Sequence, residues 1–87
     1  MNVVVSPHAK KQLKKLPKII QLTIVKRLKA LRNPSSVEAK KLQGYKDIFR
    51  TRVGSYRIIY RKRPDVVHVI LIAQRKEAYL LTRKILG

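Results

Sequence analysis

The sequence predicts an α+β fold in which an N-terminal strand and a helical hairpin pack on an antiparallel β-sheet, with a short helix at the C-terminus. Three observations carry that expectation. Apolar residues recur at helical spacing through the first third of the chain, they alternate with a period of two across residues 47–61, and residues 66–73 are apolar on both faces except at His68. With 87 residues, the chain suits one modest core, since a domain of this size buries only about 60–65% of the surface its unfolded chain exposes. One domain over residues 1–87 follows, with no repeat and no linker.

Asn2-Val3-Val4-Val5 is β-branched and short, which predicts a strand. Ser6-Pro7 supplies a helix N-cap and then a proline at the first helical position, where its missing N–H costs nothing. In that helix Ala9, Leu13 and Leu16 share a stripe while Lys10, Lys11, Lys14 and Lys15 point elsewhere, and Pro17 ends it. A second helix runs over residues 18–32 with Ile20, Ile24, Leu28 and Leu31 on one side and Lys26, Arg27, Lys29 and Arg32 largely off it. Asn33-Pro34-Ser35-Ser36 breaks it, and residues 37–44 read as a connector whose Leu42 packs down.

Two alternating segments, residues 47–53 and 56–61, flank Gly54-Ser55, which suits a two-residue type II′ turn. That turn sets Val53 opposite Tyr56, Thr51 opposite Ile58 and Phe49 opposite Tyr60, a largely apolar face that makes Tyr56 and Tyr60 core residues. The other face then carries Arg50, Arg52, Arg57 and Arg61, with Arg52 directly opposite Arg57. Like charges in that position are destabilising, so a fold that keeps them has a use for an anion; the alternative is a solvated strand face. Arg63-Pro64-Asp65 makes the next turn, residues 66–73 form a buried central strand with His68 satisfied within the sheet, and residues 77–85 form the terminal helix.

Composition narrows the partner. Twenty-two Lys and Arg against four acids give a formal charge of +18, which attracts polyanions and which no internal pairing can neutralise. Nucleic acid leads, and an acidic protein is the second class. The absence of cysteine excludes disulfides, thiolate chemistry and the usual cysteine-containing zinc sites, and two histidines make no metal centre. No cofactor is expected. The longest apolar run is far below the roughly 18–20 residues that span a bilayer, and no cleavable leader precedes the first helix, so a cytoplasmic address is expected.

On this arginine face, cleavage of RNA without a metal would require an in-line 2′-hydroxyl, stabilisation of developing charge and proton transfer. Arginine serves the second task, because its planar fork binds phosphate oxygens and stays protonated, and for the same reason it is a poor base. Tyr79, four residues after Arg75, is the candidate for base stacking or proton exchange; its alternative is ordinary helix packing.

Lys41-Leu42-Gln43-Gly44, the stretch from Arg50 to Tyr60 and Gln74-Arg75-Lys76-Glu77-Ala78-Tyr79 resemble the RelE/ParE superfamily of toxin–antitoxin toxins over essentially the full chain. The resemblance implies a small microbial-RNase-like fold. In its RelE branch it implies a toxin that enters the ribosomal A site, among 16S rRNA, and cuts the mRNA there by 2′-hydroxyl attack. Arg50, Arg52, Arg57, Arg75 and Tyr79 fall on that branch's catalytic positions, with arginines at 50 and 52 where the best-known member has lysines. No histidine or glutamate base of the kind used by sister toxins is evident. The resemblance also implies a cognate acidic antitoxin that folds onto the basic surface, a free monomer and a hetero-oligomer with the antitoxin. Its ParE branch implies instead a non-nuclease that blocks DNA gyrase, and a plain basic nucleic-acid-binding module is a third reading. The RelE branch is favoured because Arg75 and Tyr79 accompany the arginine strands.

Overall fold

The computed structural model describes residues 1–87. Strand β1 (Asn2–Val5) leads into helices α1 (Pro7–Lys14) and α2 (Lys18–Ala30), followed by a single 3₁₀ turn (Pro34–Ser36), strands β2 (Lys40–Lys41), β3 (Ile48–Val53), β4 (Tyr56–Lys62) and β5 (Val66–Gln74), and helix α3 (Arg75–Leu86). The five strands form one sheet in the order β1-β5-β4-β3-β2. The α+β expectation holds, with one refinement: the sheet is mixed, because β1 lies parallel to β5, the last strand of the chain, while every other pair is antiparallel.

Local chemistry explains the element boundaries. Ser6 caps α1, its hydroxyl accepting from the Ala9 N–H (3.1 Å) and donating to the Ile70 carbonyl (2.8 Å), so the cap also fastens the helix to β5. Gln21 Nε2 donates to the Leu16 carbonyl (2.7 Å), satisfying a helix-end acceptor at the α1–α2 corner. The β5 ladder to β1 stops at Val69, and beyond it Gln12 Oε1 accepts from the Ile72 N–H (2.8 Å), which closes the strand edge that β1 leaves uncovered.

The β3–β4 hairpin has the predicted register, Val53 opposite Tyr56 through Phe49 opposite Tyr60. Gly54 has φ +61°, and Ser55 is not left-handed, the signature of a II′ turn. β3 starts at Ile48, one residue later than the alternation suggests, because Asp47 adopts φ +64°. That conformation suits Asp better than most residues, and Asp47 is further held by Arg63 at 3.6 Å, the one ion pair in the molecule.

Each face of the sheet has its own core. On the side of α1 and α2, Ile24, Leu28 and Leu31 meet Val53, Ile58, Tyr60, Val67, Val69 and Ile72. Phe49 stacks on Tyr60 with ring centroids 5.8 Å apart, and burial raises the Tyr60 phenol's pKa by desolvation. On the other side α3 seats Ala78 over Ile48, Ile59, Leu71 and Ala73, with Leu42, Tyr45 and Leu81 at the margin. Leu42 thus packs down as expected. His68 does not fit its expectation: it is exposed, opposite Arg61 and next to the edge strand, because α3 does not reach that corner of the sheet. No helix is long and apolar enough to cross a membrane.

Candidate RNA-binding site

Three rows of side chains cross the face that carries α3. One aligns Arg52, Arg57 and Ala73; the next aligns Arg50, Ile59 and Leu71; the third aligns Ile48, Arg61 and His68. The apolar members of these rows seat α3, and the arginines flank that seat. The arginine face is therefore half closed by the terminal helix.

Several cations meet at the β3 edge. β2 pairs with β3 only at Lys40–Arg50 and Lys41–Phe49, so the second half of β3 is uncovered there. A cavity of about 380 Å³ opens at this place, lined by Arg27, Glu38, Ala39, Lys40, Arg50 and Arg52. Its wall is fixed by Arg27, whose Nη1 donates to Thr51 Oγ1 (2.9 Å) and to the Arg52 carbonyl (3.0 Å). Arg27, Lys40 and Glu38 escaped sequence reasoning as site residues. The pairing that brings Lys40 beside Arg50 spans two residues, too short to show alternation, and Arg27 reads as one more basic residue of a helix.

Arg57 is different in kind. It is 3% exposed, and its Nη1 donates to the carbonyls of Tyr56 (3.0 Å) and Gly54 (3.3 Å). Its Nε is buried without a partner, and no carboxylate pairs with it. A buried guanidinium held only by neutral carbonyls keeps an uncompensated charge, and an anion reaching the hairpin turn would be the first negative group it meets.

The other two predicted residues lie along α3. The Arg75 N–H donates to the Ser55 carbonyl (3.1 Å), which docks the helix start on the hairpin turn and leaves the Arg75 side chain exposed. Tyr79 is half-buried one helical turn on, in a second cavity formed with Leu42, Gln43, Gly44, Tyr45, Thr82 and Arg83. The structure thus brings Arg50 and Arg52 into one cavity, places Arg57 and Arg75 around the Gly54-Ser55 turn, and puts Tyr79 against the Leu42–Tyr45 loop. No group of histidines, cysteines and acids is placed to hold a metal ion.

The sequence matches the model of the ParE toxin family of type II toxin–antitoxin systems over residues 3–79. This chain belongs to that family of toxins. No curated protein matches it by sequence, whereas solved toxin structures do. The toxin chain of the RelBE2 toxin–antitoxin complex of Mycobacterium tuberculosis is 29% identical, with a TM-score of 0.74 over 85% of this chain and 96% of that one. The RelB–RelE complex of Methanococcus jannaschii matches at 26% identity and a TM-score of 0.74, covering 87% and 94%. The isolated RelE toxin of E. coli matches at 25% identity and a TM-score of 0.73, covering 99% and 98%. The toxin has the RelE fold, as its RelE/ParE resemblance implied.

Proposed function

We propose that this toxin is a ribosome-dependent endoribonuclease that cuts mRNA in the A site by metal-independent attack of a 2′-hydroxyl on the adjacent phosphorus. The observation that carries the reading is the cavity at the β3 edge, where Lys40, Arg50 and Arg52 converge beside the anchored Arg27. Guanidiniums held on paired strands are preorganised for the charge that develops on a phosphoryl group, the largest single contribution in many such reactions. Arg57 adds an uncompensated positive charge from within the same face, Arg75 extends it past the hairpin turn, and Tyr79 offers a ring beside Tyr45 on which an unstacked base can rest. The formal charge of +18 suits a ribosome built largely of RNA, and this reading places the toxin in the cytoplasm.

The neighbouring structures that contain both RelB and RelE support a cognate antitoxin as the second partner. An antitoxin rich in carboxylates would stabilise so self-repelling a domain by binding its native state. The free toxin is then a monomer and the inhibited form a hetero-oligomer.

A second reading has its own support: the family model is described by ParE toxins, which points to inhibition of DNA gyrase without RNA cleavage. One experiment separates the two. Purified toxin added to ribosomes programmed with a defined mRNA is expected to cut the A-site codon, read by primer extension, while gyrase supercoiling proceeds unchanged. Intact mRNA together with inhibited supercoiling would establish the ParE reading.

A further inference from the structure

We propose that Arg27 holds a second phosphate of the RNA, next to the one at which the strand is cut, and that the strand therefore leaves the arginine face over the edge of β3 toward α2. The proposal rests on the endoribonuclease reading and adds to it a binding contact from the helical hairpin.

Arg27 comes from the opposite side of the sheet to Arg50 and Arg52. It stands in α2, one residue before buried Leu28, and meets β3 at Thr51. Thr51 is fully buried and faces the helical hairpin, since its cross-strand partner Ile58 belongs to the core under α1 and α2. Its neighbours Arg50 and Arg52 project to the other side. One cavity nonetheless takes in all three arginines. The open edge makes this possible: β2 pairs with β3 at Lys40–Arg50 and Lys41–Phe49, and past Arg50 no strand covers β3 on that side, where Arg27 Nη1 donates to the Arg52 carbonyl (3.0 Å). The cavity straddles the sheet edge, with Arg27 as its far wall.

The guanidinium has donors to spare. Nη1 is committed to Thr51 Oγ1 (2.9 Å) and the Arg52 carbonyl, whereas Nε and Nη2 donate to no protein group and neither is buried. Arg27 is in no ion pair, although Glu38 lines the same cavity, and Glu38 is tied to the site through its backbone carbonyl, which accepts from the Thr51 hydroxyl (3.0 Å). A planar fork pinned at one nitrogen, with its other donors free, suits two oxygens of one phosphate. Its side-chain freedom is already restricted in the free protein, so less is lost on binding. Arg50 and Arg52 hold the phosphate under attack, and Arg27, across the edge, meets the strand one phosphate away. It binds, and it touches no reacting atom.

The test uses programmed ribosomes and compares wild type with Arg27→Met, which keeps an unbranched stem without its charge. In single-turnover cleavage the half-saturating toxin concentration should rise about 10–100-fold, the span of a charge-assisted contact, while the maximal rate stays within about threefold, because binding common to ground and transition states has been lost. The slope of log affinity against log salt, measured on a 2′-deoxy, uncleavable codon, should become shallower by about 0.7, one phosphate of a single strand. Replacing the phosphates around that codon one at a time by neutral methylphosphonates locates the contact: one position beside the cleavage site should weaken wild type and leave Arg27→Met unaffected. Arg27→Lys keeps a charge and loses the fork, so it serves if Arg27→Met folds poorly; it should raise the half-saturating concentration about 3–10-fold with an unchanged melting temperature. A reduced maximal rate at unchanged half-saturation would make Arg27 a brace for Arg52 and overturn the assignment, as would methylphosphonate profiles that are the same in wild type and variant; both leave the endoribonuclease reading intact. Failure of the wild type to cut would remove that reading and this contact together.

Discussion

The two faces of the sheet are built to opposite rules. The face under α1 and α2 is finished: its buried positions Val53, Ile58, Tyr60, Val67, Val69 and Ile72 are apolar or aromatic, and buried Thr51 is hydrogen-bonded. The face under α3 mixes Ile59, Leu71 and Ala73 with Arg50, Arg52, Arg57 and Arg61 in the same cross-strand rows. Nothing in packing calls for that mixture. A cross-strand pair of arginines opposes folding, and a buried arginine without an acid does so more strongly. One face is given to packing alone, and the other adds to its smaller core a charge that folding does not use.

The contrast is sharpest when one residue is removed from each side. Ile58 is fully buried between the hairpin and the helices, so Ile58→Ala should lower unfolding free energy by about 2–5 kcal/mol in urea melts. Arg57→Ala on the opposite face should cost less than about 2 kcal/mol, since the lost bonds to Gly54 and Tyr56 are offset by removal of an uncompensated charge. If Arg57→Ala proved as destabilising as Ile58→Ala, Arg57 would be a pin for the turn and not a functional cation. An anionic oligonucleotide should also raise the melting temperature of wild type more than that of Arg57→Ala.

Between the faces lies the turn that sets their register. Gly54 sits at φ +61° with open space where a Cβ would stand, so Gly54→Ala is expected to cost about 1–2 kcal/mol through the left-handed backbone alone. A larger loss, seen together with altered hairpin amide shifts in NMR spectra, would show that the register itself depends on this glycine.

The smallest effect concerns pH. Burial raises the Tyr60 pKa in the folded state, so its contribution is complete below the unfolded value of about 10 and is lost as pH rises through the folded value. Stability followed by circular dichroism should fall above pH ~10, and Tyr60→Phe should flatten that fall. Equal alkaline curves for both proteins would show that the phenol reaches solvent despite its place in the core.

How much of this was legible in the sequence depends on length of pattern. The register of β3 on β4 follows from Gly54-Ser55 and the thirteen alternating residues 47–53 and 56–61, and the Ser6-Pro7 cap marks the start of α1 to the residue. Three features lie beyond such patterns. The parallel pairing of Asn2–Val5 with β5 is a long-range choice with no local signal, β2 is two residues long, and the half-closure of the arginine face depends on α3 beginning at Arg75, two residues before the apolar pattern suggests a helix. The site shows the same division. Arg50 and Arg52 follow from alternation, whereas Arg27, Glu38 and Lys40 join them only because a short ribbon and one threonine bring three segments together.

The central claim is that the α3-side face acts on RNA by position and not by bulk charge, and two charge-matched variants test it most directly. Arg50→Ala/Arg52→Ala removes two charges from the cavity, and Lys10→Ala/Lys14→Ala removes two from the exposed surface of α1. Single-turnover cleavage on programmed ribosomes should fall at least about 100-fold for the arginine pair, as expected when preorganised charge is removed from a reacting group, and stay within a few-fold of wild type for the lysine pair. Equal losses from both variants would contradict the account.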